Sequence, residues 1–475
     1  MTSPVPLSIA AALFGDLDLG DVRRDRRFRD VVRAIAEHPG ASLPQIFPDP
    51  SQYHACLRLF DGPRATHDNI LGAHQEAVLN DMDRRTETLL LIHDATLLDF
   101  SGHTSLKDEL GPIGNGGGRG WIAQQILAVD PADRTVLGLV GQLLHVRVSP
   151  PKGETAAQRR DRCGRESRLW TRGLDEIGPT PPGCHRIDLA DRGADTFEFL
   201  QELLDRGRRF VVRSKHNRAL GTGSSEEKAL GLLHDQLRTR PATANWEMDI
   251  PARAGVEGRT ARLSGVSEQV VLRPPHVKKG EYRSEPMEVA AVRVWEENPP
   301  AGQKALEWLL LANEPAGTPP EIQQIAAWYA CRMQIEEFHK VQKSGMAVEG
   351  CQVQSVEKMA AIVAVLSVLA VLLMNARLAM RDPELAALPA TAMVPALWVE
   401  VLKRRTKGRP REWTVAAFWN ALARLGGYLK NPAKHPPGWI TLWRGWTILH
   451  QLIRYHVALV GDAKTDREPK MEPPP

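Results

Sequence analysis

The stretch from Tyr329 to Lys343 carries ionisable side chains at the spacing of one helix face. At about 100° per residue, the members of this face fall within roughly a third of the helix circumference. They are Tyr329, Arg332, Glu336, His339, Lys340 and Lys343. A carboxylate that helps to bind a divalent metal ion needs other carboxylates nearby, and the surrounding cations suit phosphate oxygens. The stretch therefore indicates metal-dependent phosphodiester chemistry, with an ordinary surface helix carrying i,i+4 charge pairs as the alternative.

Two aspartates upstream could complete a group of carboxylates. Asp94 and Asp191 each end an apolar run that is predicted to be a strand. A predicted crossover helix and a strand at 209–215 follow Asp191, which makes a βαβ unit. The carboxyl end of such a strand is the edge where α/β folds usually place their ligands. Asp188 and Asp195 compete with Asp191 for this position.

Asp94, Asp191 and Glu336 lie far apart in the sequence, but two strands and a helix beside them could bring the three together. Carboxylates that close repel and raise one another's pKa unless a cation neutralises them. Mg²⁺ fits because it prefers oxygen ligands and retains waters and substrate phosphates. Two Mg²⁺ ions about 4 Å apart could activate the attacking oxygen and stabilise the leaving one, and Mn²⁺ could substitute. The sequence has no His/Cys cluster typical of zinc.

The spacing Tyr-x2-Arg-x3-Glu-x6-Lys, read from Tyr329 to Lys343, resembles the YREK motif of the DDE transposases of the insertion-sequence-four family. The run Ile335–Lys340 and the predicted strand Arg209–His216 are also similar to this family. Shorter matches are Leu19–Asp21, Arg119–Trp121 and Ala423–Gly427. The resemblance covers nearly the whole length. It implies a cut-and-paste reaction in which transposon-end DNA is nicked, a hairpin forms and opens, and the 3′-hydroxyl ends are transferred into target DNA.

The resemblance also implies roles for individual residues. Asp94, Asp191 and Glu336 would be the catalytic residues and metal ligands. Asp191 is preferred over its competitors because the block that begins there matches the family, with Gly193 replacing a Glu. Trp308 would stack on a base that leaves the duplex during hairpin formation, whereas a core tryptophan is the alternative. The residues that would contact DNA phosphates are Tyr329, Arg332, Lys343, His339, Lys340, Arg213 and Lys215.

Arginines crowd the segment Leu17–His38, which is predicted to be a helix with Asp21 as its N-cap. The pattern is compatible with a helix that contacts phosphates and with a solvated charged helix, because acidic residues are interspersed. The resemblance implies that this domain recognises transposon-end DNA. The arginines expected to do so are Arg23, Arg24 and Arg27. Asp61 stands where the family would have an arginine.

A chain of 475 residues with 43% hydrophobic residues can form two or three cores, so we expect a multidomain protein. The formal net charge of +4 is small, and DNA binding must depend on local basic patches. Five scattered cysteines without a CxxC pair favour a reducing cytoplasm. The resemblance implies a bacterial protein that is nucleoid-associated when bound to DNA. The apolar run Met359–Met374 is predicted to be a buried core helix, with no membrane partner.

The order of predicted elements, together with the resemblance, indicates a multidomain α/β fold. We expect an all-α DNA-binding domain at 1–75 and a helical dimerisation domain at 376–475, which ends in a disordered tail. Residues 76–375 would form a ribonuclease-H-like catalytic core, a mixed sheet with flanking helices. A β-rich insertion at about 217–304 would interrupt this core and depart from its α/β layer.

Three tryptophans near the C-terminus, Trp439, Trp443 and Trp446, have helical spacing. Such a stripe is usually core, but the resemblance favours a dimer surface in a homodimer bound to transposon-end and target DNA. Two other functions compete with a transposase. One is a catalytically inactive relative that still binds DNA ends, and the other is a metal-dependent nuclease of the same fold that cuts without strand transfer.

Overall fold

The computed structural model describes residues 12–148, 151–155, 158, 162, 164–221, 230–250, 258–274, 285–378, 380, 382–406, 410–429 and 437–465. The chain divides into two compact units. The helical unit comprises Met1–Ala77, Leu98–Leu110 and Glu337–Pro475, and the sheet unit comprises Val78–Leu97 and Gly111–Glu336. The division into three domains stays a prediction, and the predicted disordered tail lies almost entirely outside the described residues.

Helices form most of the helical unit and flank the strands of the sheet unit. In chain order they are α1 (Val22–Glu37), α2 (Leu43–Ile46), α3 (Pro50–Leu59), α4 (His67–Met82), α5 (Leu169–Ile177), α6 (Phe197–Asp205), α7 (Leu233–Thr239), α8 (Pro319–Cys331), α9 (Met333–Lys340), α10 (Val356–Leu378), α11 (Pro383–Ala387), α12 (Ala396–Arg405), α13 (Val415–Leu425) and α14 (Trp439–Thr465). The predicted N-cap of α1 is confirmed, because the Asp21 side chain accepts a hydrogen bond from the Arg23 N–H.

Within the described residues, the strands of the sheet unit join one mixed sheet of 12 strands. They are β1 (Thr88–Asp99), β2 (Gly111–Ile113), β3 (Gly118–Val129), β4 (Val136–His145), β5 (His185–Ala190), β6 (Arg209–Arg213), β7 (Ala219–Leu220), β8 (Gly231–Leu232), β9 (Ala244–Ile250), β10 (Arg259–Leu272), β11 (Met287–Glu296) and β12 (Glu307–Ala312). The order is β2-β3-β1-β5-β6-β12-β11-β10-β7-β8, with β4 paired to β3 and β9 paired to β10. A multidomain α/β protein is therefore compatible with this architecture.

Strands β1, β5 and β6 lie side by side and run parallel. Their central residues are apolar and buried, as expected for parallel strands with both faces covered. His93 of β1 pairs with Ala190 of β5, and Asp94 and Asp191 are the next residues along their two segments. The prediction that Asp94 ends its strand is wrong, because β1 continues to Asp99. The continuation is possible because β3 flanks β1 on its other edge, although the pairing with β5 stops at His93.

The predicted insertion at about 217–304 is rich in strands, but it does not depart from the layer of the other strands. Strand β12 pairs antiparallel with β6 on one side and with β11 on the other. Strand β10 pairs in turn with β11, β9 and β7. The expected departure from the α/β layer is therefore wrong. The open edge of β6 needs hydrogen-bond partners, and the returning strand β12 supplies them.

The core of the helical unit is apolar and aromatic. Helix α10 is long and apolar enough to cross a membrane by length and composition, and 89% of its most apolar window is buried inside the protein, which agrees with the predicted core helix. The Trp446 ring lies 5.2 Å from those of Trp398 and Trp419, measured between ring centroids. Trp446 is buried and belongs to this core, whereas Trp443 is half-buried and the side chain of Trp439 lies outside the described residues.

Candidate active site and nucleic-acid interface

Two consecutive helices carry the predicted motif. Helix α8 begins with a capping box in which the side chains of Thr318 and Glu321 bond each other's backbone N–H groups. After its last residue, the Arg332 N–H bonds the Tyr329 carbonyl, an i→i−3 contact that tightens the chain before α9. A wider π turn follows α9 at Val341–Gly345. The prediction of one uninterrupted helix is therefore wrong, and the side chains of the motif do not share one straight helix face.

The Arg332 side chain bridges two of the predicted metal ligands. Its Nη1 lies 3.2 Å from Asp94 Oδ2, and its Nη2 lies 3.0 Å from Glu336 Oε1. A carboxylate oxygen of Asp94 also lies within 4.8 Å of one of Glu336. The side chains of Arg332 and Asp94 are only 13% and 15% exposed. The fold thus brings β1 and α9 together at this pair of carboxylates, of which Asp94 is largely buried and Glu336 is 42% exposed.

Asp191 follows the last residue of β5 and caps a short 3-10 turn. One of its oxygens accepts a hydrogen bond from the Gly193 N–H at 2.6 Å. A Cβ at Gly193 would lie 2.9 Å from Asp191 Oδ1 and 3.3 Å from Trp170, so glycine permits this close turn. A carboxylate has about four lone-pair positions, and Asp191 is half-buried, so it retains capacity to bind a cation.

Asp188, the first competitor, is buried and already neutralised. It accepts hydrogen bonds from His93 Nε2 at 2.7 Å and from Arg208 Nε at 2.6 Å. Burial alone would raise the pKa of Asp188, but the Arg208 guanidinium and His93 together hold it below its ordinary value. Asp188 therefore ties β5 to β1 beneath the site. Sequence reasoning missed this cluster, although a histidine inside the apolar run of β1 was a signal for it.

Asp195, the second competitor, organises the loop after β6. Its Oδ2 accepts hydrogen bonds from the backbone N–H groups of Lys215 and His216 at 2.6 and 2.9 Å. Its Oδ1 accepts one from Arg218 at 2.6 Å. Asp195 is buried, while the Lys215 side chain is exposed. These bonds leave Asp191 as the better-placed carboxylate after β5.

The pKa of Asp94 is raised by burial and by two other carboxylates. Burial raises the pKa of Asp94 to about 6, the Arg332 guanidinium opposes this shift, and the carboxylates of Asp191 and Glu336 add to it. A hard divalent cation would relieve this repulsion, because Mg²⁺ prefers carboxylate oxygens. Asp94 and Glu336 offer carboxylate oxygens within 4.8 Å of each other, which fits such an ion, and Asp191 adds a negative charge that acts on Asp94.

We expect Asp94→Asn to stabilise the metal-free protein at pH 8 but not at pH 4. The pKa of Asp94 is about 6 in the folded protein against an ordinary value of 3.8. The folded chain holds this proton more tightly, so ionisation of Asp94 lowers stability as pH rises from about 4 to about 6. The pKa difference sets an upper limit of about 3 kcal/mol. Thermal unfolding in EDTA at both pH values measures it, and a variant less stable than wild type at pH 8 contradicts it.

An aromatic pair in the same unit contains two of the predicted DNA contacts. The rings of Trp308 on β12 and Tyr329 on α8 meet edge-on, with centroids 5.1 Å apart and planes at 70°. Arg213 donates a hydrogen bond to the Glu307 carbonyl at 3.0 Å and another to the Tyr329 hydroxyl. Burial raises the pKa of the Tyr329 hydroxyl, so it remains protonated at neutral pH. Asp191 and Arg332 both act electrostatically on Tyr329, which places this pair near the carboxylates.

Three other predicted phosphate contacts belong to the helical unit. His339 on α9 is buried and exposes little surface to a ligand. Lys340 Nζ lies 2.7 Å from Glu337 Oε1, and Lys343 Nζ lies 3.6 Å from Glu349 Oε1. Both lysines must therefore exchange a carboxylate for a phosphate if they contact DNA. Exposed ion pairs contribute only about 0–1 kcal/mol, so this exchange costs little.

Helix α1 places its predicted DNA-recognition residues in different environments. Arg23 and Arg24 are exposed, which suits contact with phosphates. Arg27 is half-buried and donates a hydrogen bond from Nη2 to the Gln52 carbonyl at 3.0 Å. Its guanidinium also lies 6.0 Å from the centre of the Phe47 ring. Arg27 thus links α1 to α3 within the helical unit.

The sheet unit presents a carboxylate cluster suited to a hard cation, and the helical unit presents an arginine-rich first helix. Residues 8–65 match the family model described as transposase DNA-binding. The match includes α1, α2 and α3, and it supports a transposase that has DNA as a partner. Within this range, Asp61 forms an ion pair with Lys358 of α10 at 2.7 Å. The residue expected to be an arginine therefore has a partner inside the helical unit.

Proposed function

We propose that this protein is a cut-and-paste DDE transposase of the insertion-sequence-four family, typified by the transposase of the bacterial transposon Tn-five. One observation carries the proposal. Asp191 and Glu336 both act electrostatically on Asp94, in a chain whose residues 8–65 match a transposase DNA-binding model. A carboxylate on one strand, a second directly after the neighbouring parallel strand and a third on a helix are a donor set for metal-dependent phosphoryl transfer.

The architecture of the sheet unit supports a ribonuclease-H-like core. Strands β3 and β4 pair antiparallel, whereas β1, β5 and β6 run parallel. Helices α5 and α6 contribute to the same hydrophobic cluster as these strands. A mixed sheet with flanking helices is what the resemblance implies, and the strands from β7 to β11 correspond to the β-rich insertion.

The three carboxylates would share one task, which is to bind the catalytic cations. Two Mg²⁺ ions bound by Asp94, Asp191 and Glu336 would activate the attacking oxygen and stabilise the leaving oxygen. Asp94 lies on β1 and Asp191 directly follows β5, so the paired strands β1 and β5 would hold these two carboxylates in place. Nicking, hairpin formation, hairpin opening and strand transfer are each an in-line displacement at phosphorus, so one set of carboxylates serves all four steps.

The neighbouring cations and rings would hold the DNA end. Arg213 and Tyr329 already share a hydrogen bond, and together with Arg332 they can grip the phosphate next to the scissile bond. Hairpin formation bends one strand back onto its partner, which requires a base to leave the stack. Trp308, half-buried against Tyr329, would stack on that base.

Transposon-end DNA, target DNA and a second copy of the chain are the proposed partners. The exposed Arg23 and Arg24 would contact the phosphates of the end. Joining two ends requires two active sites, and a homodimer on DNA would supply them. The reducing, bacterial cytoplasm is the proposed compartment, in agreement with the cysteine usage.

One assay separates the transposase from its two alternatives. Purified protein is incubated with Mg²⁺ and linear DNA that carries the terminal sequences of its element, and a scrambled end of equal length is the control. We expect hairpin ends on the specific substrate and none on the scrambled one. Cleavage that leaves only open ends would support a nuclease, and binding without cleavage would support an inactive end-binding relative.

A further inference from the structure

A guanidinium lies between two of the proposed metal ligands. Arg332 directs Nη1 to Asp94 Oδ2 at 3.2 Å and Nη2 to Glu336 Oε1 at 3.0 Å, so one side chain serves both carboxylates. The contacts are charge-assisted, and the side chains of Arg332 and Asp94 are largely buried, whereas that of Glu336 is 42% exposed. Arg332 therefore does in this structure what a bound cation would do, which is to offset the repulsion between the two carboxylates.

The same two carboxylates cannot hold Arg332 and a bridging divalent cation at once. Mg²⁺ binds carboxylate oxygens at about 2.0–2.1 Å in a near-octahedral shell. The guanidinium fills the space between Asp94 Oδ2 and Glu336 Oε1, and its positive charge would repel an ion placed there. Binding of the ion therefore requires the guanidinium to leave.

A DNA phosphate would compete with the two carboxylates for the Arg332 guanidinium. Arginine forms bidentate hydrogen bonds with phosphate as readily as with carboxylate. Arg332 occupies the tight turn between α8 and α9, next to the Tyr329 and Arg213 pair that is suited to the same phosphate. Rotation of the Arg332 side chain toward DNA would uncover Asp94 and Glu336.

We propose, on the basis of the function proposed above, that Arg332 is a displaceable internal cation that keeps Asp94 and Glu336 closed to metal ions until a DNA phosphate draws it away. DNA and metal binding are then positively coupled, and the coupling acts in both directions. A protein without DNA would hold metal weakly and would cut little non-specific DNA. Arg332 is a positioning residue in this scheme, because it controls access to the carboxylates.

The test is the affinity of the full chain for Mn²⁺ alone, without DNA, measured by electron paramagnetic resonance. We expect Arg332→Gln to bind Mn²⁺ at least about tenfold more tightly than wild type, in the range usual for coupled sites. Arg332→Lys should fall between the two, since an ammonium keeps the positive charge but lacks the planar fork that contacts both carboxylates in this structure. Circular dichroism and thermal unfolding, with and without Mn²⁺, verify that each variant is folded and give a second measure of binding.

Arg206 provides a matched control in the sheet unit. It also bridges two carboxylates, with Nε 2.7 Å from Glu202 Oε1 and Nη2 2.7 Å from Asp175 Oδ1. Arg206→Gln should leave Mn²⁺ affinity unchanged. An equal gain in Arg206→Gln and Arg332→Gln would overturn the proposal, because the gain would then reflect net charge alone.

The outcomes also separate this proposal from the function on which it rests. If Arg332→Gln binds Mn²⁺ no more tightly than wild type does, the role proposed for Arg332 is overturned, even if the wild-type protein nicks transposon ends with Mg²⁺. If the wild-type protein neither nicks transposon ends nor gains Mn²⁺ affinity when end DNA is added, the proposed function itself fails. Tighter Mn²⁺ binding by Arg332→Gln than by wild type supports the proposal if the gain depends on Asp94. The gain should then disappear in the double variant that combines Asp94→Asn with Arg332→Gln.

Discussion

Asp94→Asn, Asp191→Asn and Glu336→Gln should each reduce the nicking rate on transposon-end DNA by at least about 10³-fold, since metal ligation supplies several kcal/mol of transition-state stabilisation. Each change keeps the shape of the side chain and removes one charged ligand. Binding of the end should remain nearly unchanged, because affinity depends on phosphate contacts and not on the carboxylates. Single-turnover nicking with Mg²⁺, together with a gel-shift titration of the same DNA, measures both quantities.

Two further variants control this experiment. Asp133→Asn, in the turn between β3 and β4, retains an oxygen that can accept the Thr135 N–H and should nick normally. Asp188→Asn should instead destabilise the protein by about 3–5 kcal/mol, because Arg208 would lose its buried counter-charge. Nicking at the wild-type rate by any of the three carboxylate variants removes that residue from the proposed site.

Trp308→Ala should slow hairpin formation by roughly ten- to a hundredfold and cause nicked DNA to accumulate. Nicking requires only the carboxylates and a positioned water, whereas hairpin formation also requires an unstacked base. Stacking of a base on an aromatic side chain contributes about 1–3 kcal/mol, and each tenfold change in rate corresponds to about 1.4 kcal/mol. Quantifying nicked and hairpin products over time separates the two steps.

Trp295→Ala is the matched control, because Trp295 lies opposite Glu307 and therefore points to the other face of the sheet from Trp308. It should leave the ratio of hairpin to nicked product unchanged. The reading of Trp308 as a core residue would be favoured if Trp308→Ala lost solubility or slowed nicking as much as hairpin formation. Because the Trp308 ring contacts the Tyr329 ring edge-on, the thermal stability of Trp308→Ala must be measured as well.

Local patterns predicted local structure well in this chain. Asp21 caps α1 as expected, because an N-cap depends only on residues two or three positions away. The apolar run from Met359 became the buried helix α10, since its composition leaves no polar face to expose. The errors concern places where distant segments meet. Asp94 lies inside β1, which has β3 as a second neighbour, and the predicted insertion joined the main sheet because β12 paired with β6.

The sequence by itself determined the set of chemical groups and the periodicity of each element, including three carboxylates, the cations around Glu336 and the arginines of α1. Only the tertiary structure decided which of these groups meet. Asp188 and Asp191 are three residues apart, yet Arg208 neutralises the first in the core while the second follows the end of β5 and acts electrostatically on Asp94. Arg332 likewise bridges Asp94 and Glu336, although its spacing predicted only a cation on a helix. The physical reason is that desolvation and charge pairing depend on non-local neighbours, which no spacing within one element specifies.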